Sequence, residues 1–255
     1  YSLAQGADYT NLFEASGENG PESLFEVQYT DVEGAGFGCL QCSEGNVAVG
    51  FSGPRGYAGP LYTSGFSFNV PDPDVVSATF EAGDRRTGVN ILDMDQWNAE
   101  TGATYNPGYH DTGLFTRKYI PRTRSGQAAG DLNLTNPNNY RAIRYADVLL
   151  MAAEALNRGG ISDTRAQQYL NQVRRRAFGD NAHDISFTGF ALTEAIWNER
   201  HRELFGEGHR FFDLVRTGQA ASHIAGFTAG KNEVFPIPQE ERQFSNNLWE
   251  QNPNY

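Results

Sequence analysis

The 255-residue sequence predicts a mainly α-helical fold with long irregular loops and a few short strands, and three observations carry that reading. From residue 141 onward, apolar residues recur at helical spacing. Before that point, glycine and aromatic residues dominate stretches that follow neither the helical nor the strand period. Short alternating segments punctuate them, the clearest being ESLFEVQYTD through Leu24, Glu26 and Gln28. The chain is therefore expected to divide into a loop-rich part with a short helix and strands, residues 1–140, and a helical part, residues 141–255, closed by an extended strap.

After the first strand, GAGFGCLQCSEGNVAVGFSGPRGYAGPLYTSGFSF is an irregular excursion, and a loop of that length is usually functional or disordered. VPDPDVVSATFEAGDRR then reads as a helix with Asp72 or Asp74 at its N-cap and a stop at Gly83. Two close aspartates also suit calcium, but capping is the commoner use. A second loop, DMDQWNAETGATYNPGYHDTG, precedes LFTRKYI, a short strand candidate. In RYADVLLMAAEALNRGG the residues Ala146, Leu149, Leu150, Ala153 and Leu156 form one stripe, which Gly159 and Gly160 terminate. Ser162 is placed to cap DTRAQQYLNQVRRRAFG, whose Ala166, Tyr169, Leu170, Val173 and Ala177 form the facing stripe. Two such helices on a short turn predict an antiparallel hairpin of tetratricopeptide type, which needs further helices to cover it. Thr193 is the expected cap of the next helix, and the Pro- and Asn-rich NEVFPIPQEERQFSNNLWEQNPNY reads as the extended strap.

That next helix runs into NERHRELFGEGHRFFDLVRTG, dense in acids, arginines and histidines. Glu199 and Glu203 share a helical face, whereas His201 lies on another and His209 falls beyond the Gly206 and Gly208 breaks. No H-E-x-x-H motif is present, and His110, His183 and His223 stand singly, so no metal site is expected. The spacing suggests reciprocal arginine–carboxylate pairing across a tight glycine turn, with His209 as a packing residue.

A net charge of −11 and a pI of about 4.9 argue against nucleic acid and anionic lipid as partners, since either would need clustered basic residues. The one dense cluster, Arg174–Arg176, sits at a helix end. No apolar run approaches the roughly 18 to 20 residues of a membrane-spanning helix. The start YSLAQGADYTNLF reads as the interior of a structure, so a trimmed chain is expected. Cys39 and Cys42, in CLQC, lack the strand-to-helix context of a redox motif and the two further ligands of a zinc site. They are expected to be a small loop disulfide or a pair of thiols without a catalytic role.

The segments RYADVLLMAAEALN, YLNQVRRRA, ERHRELFGEGHRFFDLVRTG, VFPIP and QNPNY, with PESLFEVQY and FEAGDRR before them, resemble in content and order the carboxy-terminal half of the SusD/RagB family of outer-membrane nutrient-binding lipoproteins. The resemblance implies a SusD-like, tetratricopeptide-like scaffold, ligand-bearing loops, a surface lipid anchor outside this chain, and a TonB-dependent SusC-like transporter as partner. It places Glu199, Arg200, Glu203, Glu207, Gly208, Arg210, Asp213 and Arg216 in the family's charged signature, with a structural role. Two departures are visible. Gly206 stands where an aromatic is common, suggesting a looser local fit, and the lipidated cysteine and earlier helical hairpins of the family do not occur in this sequence.

Sugar binding needs aromatic faces beside hydrogen-bonding side chains. Phe51, Arg55, Tyr57 and Tyr62 in the first excursion, and Trp97, Tyr105 and Tyr109 in the second, offer that mixture. The expected function is capture of oligosaccharides at the cell surface for delivery to the transporter, without catalysis and without a cofactor. Two rivals are an oligopeptide binder of the RagB type and a glycoside hydrolase, for which Glu199, Glu203 and Asp213 would be the candidate acids.

Overall fold

The computed structural model describes residues 1–34 and 36–255. In chain order its elements are α1 (Gly6–Thr10), β1 (Ser23–Val27), α2 (Val47–Ser52), α3 (Pro73–Thr79), α4 (Arg86–Asn90), β2 (Ile91–Asp93), α5 (Met94–Thr101), β3 (Leu114–Thr116), β4 (Tyr140–Arg144), α6 (Tyr145–Arg158), α7 (Asp163–Phe178), α8 (Gly189–Glu203), α9 (Arg210–Arg216), α10 (Ala220–His223) and α11 (Gln239–Phe244). The fold is mainly helical, with two antiparallel two-stranded sheets among the described residues: β1 on β4, pairing Ser23 with Arg144 and Val27 with Tyr140, and β2 on β3, pairing Leu92 with Phe115.

The helical hairpin lies where the periodicity puts it. Along α6, Ala146, Leu149, Leu150 and Ala153 are buried against Ala166, Leu170 and Val173 of α7, and Leu192 and Ile196 of α8 complete the cluster. Ser162 accepts a hydrogen bond from the Arg165 amide, and Gly179, in the left-handed region, ends α7. Asp72 caps α3, accepting from the amides of Asp74 and Val75, so that aspartate is occupied as a cap.

Several expectations need correction. Thr193 is not the cap of α8: the helix begins four residues earlier, and the Thr193 hydroxyl bonds the Asn157 side-chain oxygen between helices. The second loop contains α5, capped by Asp93 and ended by Gly102 at φ +72°. The first excursion contains α2, LFTRKYI is strand only over Leu114–Thr116, and the strap holds α11, six residues that start directly after Pro238. Each of these helices is too short to show two turns of a repeating pattern.

The chain forms two compact units, Tyr1–Glu207 and Gly208–Tyr255. The first holds the hairpin and most of residues 1–140 in common packing through the β1–β4 pair. In the second, α9 carries an Arg216–Asp213 ion pair, Phe211 packs on Phe227, and Gln251 bonds both the amide and the carbonyl of Ile237. Among the described residues no helix is long and apolar enough to cross a membrane.

Candidate functional site

The charged stretch builds a buried ion lattice rather than a cleft. Glu199 and Glu203, one turn apart on α8, and Glu207 beyond it point into the first unit and are buried. The sequence suggested that their partners lie inside the stretch; in the structure most come from elsewhere. Glu199 takes Arg86 at 2.6 Å and Arg174 at 2.7 Å. Glu203 takes Arg144 and Arg176, and Glu207 takes Lys118 at 2.6 Å and both ends of the Arg144 fork at 2.7 and 2.8 Å. Glu22 of the β1 approach bridges Arg144 and Arg176 and accepts the Ala4 amide, while Asp84 grips Arg86. Arg200 turns the other way, to Asp147 of α6. Five acids (Glu22, Asp84, Glu199, Glu203, Glu207) thus meet five bases (Arg86, Lys118, Arg144, Arg174, Arg176), so the buried charge cancels.

The field inside the lattice is strong. Burial works against ionisation of Glu203, but the guanidiniums of Arg176, Arg144 and Arg86 outweigh it and hold the carboxyl well below the usual carboxylate range. Burial also lowers the Lys118 ammonium, to about 8, against the pull of Glu207. All three glutamates are closed in by cations, with no open face toward a substrate. Gly206 does not loosen the turn: at φ +76°, with the Thr116 hydroxyl 2.4 Å from where a Cβ would stand, it is a tight contact that a side chain would break. Gly208 also adopts a positive φ, and His209 is half-buried at the start of α9. Among the described residues no group of three or more His, Cys, Asp or Glu is arranged to hold a metal ion. Cys39 and Cys42 form a disulfide.

The seven loop residues fall into two sets. Tyr57 and Tyr62 are buried with Leu92, Met94, Ala103, Phe115 and Ile120, and Trp97 and Tyr105 pack on that cluster half-buried. Their polar ends are also taken. Trp97 donates to the Tyr57 hydroxyl at 2.8 Å, Tyr57 donates to the Pro60 carbonyl at 2.7 Å, and Tyr105 donates to Asp111 at 2.7 Å. Burial, then the bond to Asp111 and its charge, keeps the Tyr105 phenol protonated. The Arg122 guanidinium covers the Tyr62 ring at 4.9 Å. Tyr109 is 91% exposed beside His110.

Phe51 and Arg55 belong to a different arrangement. The Phe51 and Phe68 rings lie 14° from parallel with centroids 6.1 Å apart, and Phe66 and Phe68 lie 21° from parallel at 5.6 Å. Phe37 meets the edge of Phe66. Arg55 donates to the Phe66 carbonyl at 2.9 Å and stands 5.9 Å over the Phe68 ring, which is 66% exposed. The result is an aromatic shelf, exposed at Phe37 and Phe68 and half-buried at Phe51 and Phe66, with a guanidinium at its side, the combination that a sugar's apolar face and hydroxyls require.

The model of the SusD family matches residues 77–228, the span that carries most of the lattice. This chain belongs to the SusD family. The whole chain aligns with SusD-like protein P2 of Formosa agariphila at 28% identity, covering 53% of that protein. Its structure is similar to that of a laminarin binding SusD-like protein at 39% identity and a TM-score of 0.81, covering all of this chain and 54% of the other. Surface glycan-binding protein A from Bacteroides thetaiotaomicron gives 30% identity and a TM-score of 0.83, with 56% of that chain covered, and its complex with laminarihexaose gives 0.81. The chain spans about half the length of these relatives. Within this SusD-family chain, the sequence reading missed Phe37, Phe66 and Phe68 of the shelf. The signal available was two phenylalanines spaced by two in SGFSF; in the structure Ser67 between them is at φ +56°, so the local chain is not a regular strand.

Proposed function

We propose that this chain carries a glycan-binding surface of a cell-surface, lipid-anchored nutrient-capture protein, which delivers oligosaccharides to a TonB-dependent SusC-like transporter and performs no catalysis on them. The observation that carries the reading is the Phe51–Phe66–Phe68 shelf with Arg55 beside it. The exposed Phe68 ring, backed by the half-buried Phe51 and Phe66, suits a sugar face, and a guanidinium held by a backbone bond is pre-organised for hydroxyls. The similarity to a laminarin binding protein and to one solved with laminarihexaose makes a laminarin-type glucan the first ligand to test. A hydrolytic reading gains nothing from Glu199 and Glu203, whose carboxylates are consumed by arginines.

Calorimetric titration with laminarihexaose tests this. Phe68→Ala and Arg55→Ala are each expected to weaken binding at least about tenfold, ~1.4 kcal/mol, with an unchanged melting temperature. Tyr62→Ala, by contrast, removes a buried ring and is expected to cost about 3 kcal/mol of stability. Full affinity in both shelf variants would move the ligand elsewhere, and tighter binding of an oligopeptide than of any glycan would replace the reading with the peptide-binding one.

A further inference from the structure

The first unit has a second concave surface, away from the aromatic shelf in sequence and opposite in chemistry. A hollow of about 630 Å³ opens between the beginning of α1, the start of α4 and the end of α7, lined by Gln5, Tyr9, Thr10, Arg85, Arg175 and Arg176 among others. A neighbouring hollow of about 420 Å³ shares Gln5, Arg175 and Arg176 with it. In a chain of net charge −11, three guanidiniums line one concavity, and one of them has no acid paired with it among the described residues.

The three are not equivalent. Arg176 is buried and spends its terminal nitrogens on Glu22 and Glu203. Arg175 is half-exposed and pairs with Asp184. Arg85 is exposed, and no ion-pair partner for it occurs among the described residues. Its backbone is tied to the end of α7. Its backbone amide donates to the Ala177 carbonyl, and its guanidinium lies against Gly179, where a Cβ would come within 2.2 Å of Nη2. Gly179 is at φ +87°, so glycine both ends α7 and leaves the space in which the Arg85 fork rests. A planar fork at the wall of a pocket, with no ion-pair partner among the described residues, is suited to an oxyanion.

We infer that this hollow is a binding site for a small hydroxylated organic anion, a sugar ring bearing a carboxylate or a sulfate ester, with Arg85 as the anion-recognising residue. The volume is in the range of ligand pockets and far exceeds a lone inorganic anion, and the exposed Gln5 amide and the lone pairs of the exposed Thr10 hydroxyl remain for ring hydroxyls. The inference is independent of the neutral-glycan reading above, since no residue of the shelf lines the hollow.

Titration at low salt with glucuronate, glucose 6-sulfate, glucose and inorganic sulfate tests it, followed by NMR shifts or calorimetry. Saturable binding is expected for one or both sugar anions, at least tenfold tighter than for glucose, and weakened as salt rises. Arg85→Ala should lose that preference, and Arg85→Lys should recover only part of it. Laminarihexaose binding should be unchanged in Arg85→Ala, which separates failure here from failure of the shelf. Equal binding of glucose, binding of inorganic sulfate alone, or an Arg85→Ala variant that keeps its affinity would each overturn the assignment.

Discussion

Glu203 shows what one residue does in this structure. Its carboxylate is 2% exposed and is shared by Arg144 and Arg176, with Arg86 at 3.6 Å. Each of those cations has been withdrawn from water, which is favourable only while the carboxylate answers it. Glu203→Ala is therefore expected to lower unfolding free energy by about 3 to 5 kcal/mol in urea titration. A variant of normal stability would mean that water reaches the lattice and screens it. The sequence made the acids legible but not their partners. Glu199, Glu203 and Glu207 stood out by spacing, whereas Arg86 lies 113 positions from Glu199, and Glu22 lies 122 and 154 positions from Arg144 and Arg176, and no local pattern reports such distances. The same reason explains the aromatics: Tyr57 and Trp97 looked alike in their loops, and only the bond between them, 40 residues apart, shows that both serve the packed cluster.

At the scale of elements, legibility followed length. The stripes of α6 and α7 span four turns, so the positions read from them are those found buried, with only Leu156 and Tyr169 at the margin. For the short α5, caps rather than periodicity were the signal, Asp93 before it and Gly102 after it, whereas α2 and α11 have no side-chain cap and so offered neither signal. Caps also give this scale its prediction. Ser162→Ala removes a hydrogen bond to the Arg165 amide and is expected to cost about 1 kcal/mol. Thr188, at the same position before α8, makes no side-chain cap, so Thr188→Ala should be close to neutral. Equal melting temperatures for the two variants would refute the assignment of α7's cap.

For the molecule as a whole, the lattice predicts how stability varies with pH. Burial opposes the charge on Glu203 and Glu207, yet the surrounding Arg176, Arg144 and Lys118 hold both carboxyls below their ordinary value of 4.5. As acid is added the unfolded chain takes up these protons first. Their contribution is thus complete above about pH 4.5 and is lost as pH falls toward the folded-state values. Lys118 acts at the other end: burial lowers it from 10.5 to about 8, so between those values the folded chain has already released the proton that the unfolded chain still holds. Relative to Lys118→Met, the native protein should gain stability across pH 8 to 10.5. Urea unfolding of both proteins through that window checks the slope, and a difference that stays flat or falls would show that Lys118 keeps its proton.

The bridging of Arg144 and Arg176 by Glu22 also governs the order in which this chain can assemble. Arg176 and Glu22 are 154 positions apart, so the lattice can close only after the first strand and the end of α7 have met. The helical hairpin needs no such meeting, because α6 and α7 are joined by a turn. Local helix pairing should therefore run ahead, and the slow step is the search that brings residues 1–26 onto it, at the cost of a long loop closure. Until that search ends, Arg144 and Arg176 have only Glu203 and Glu207 to answer them, and the Glu22 side of the lattice stays open to water. The ion lattice is in this sense a checkpoint in time: it bars the unit from completing its interior before both ends of it have arrived.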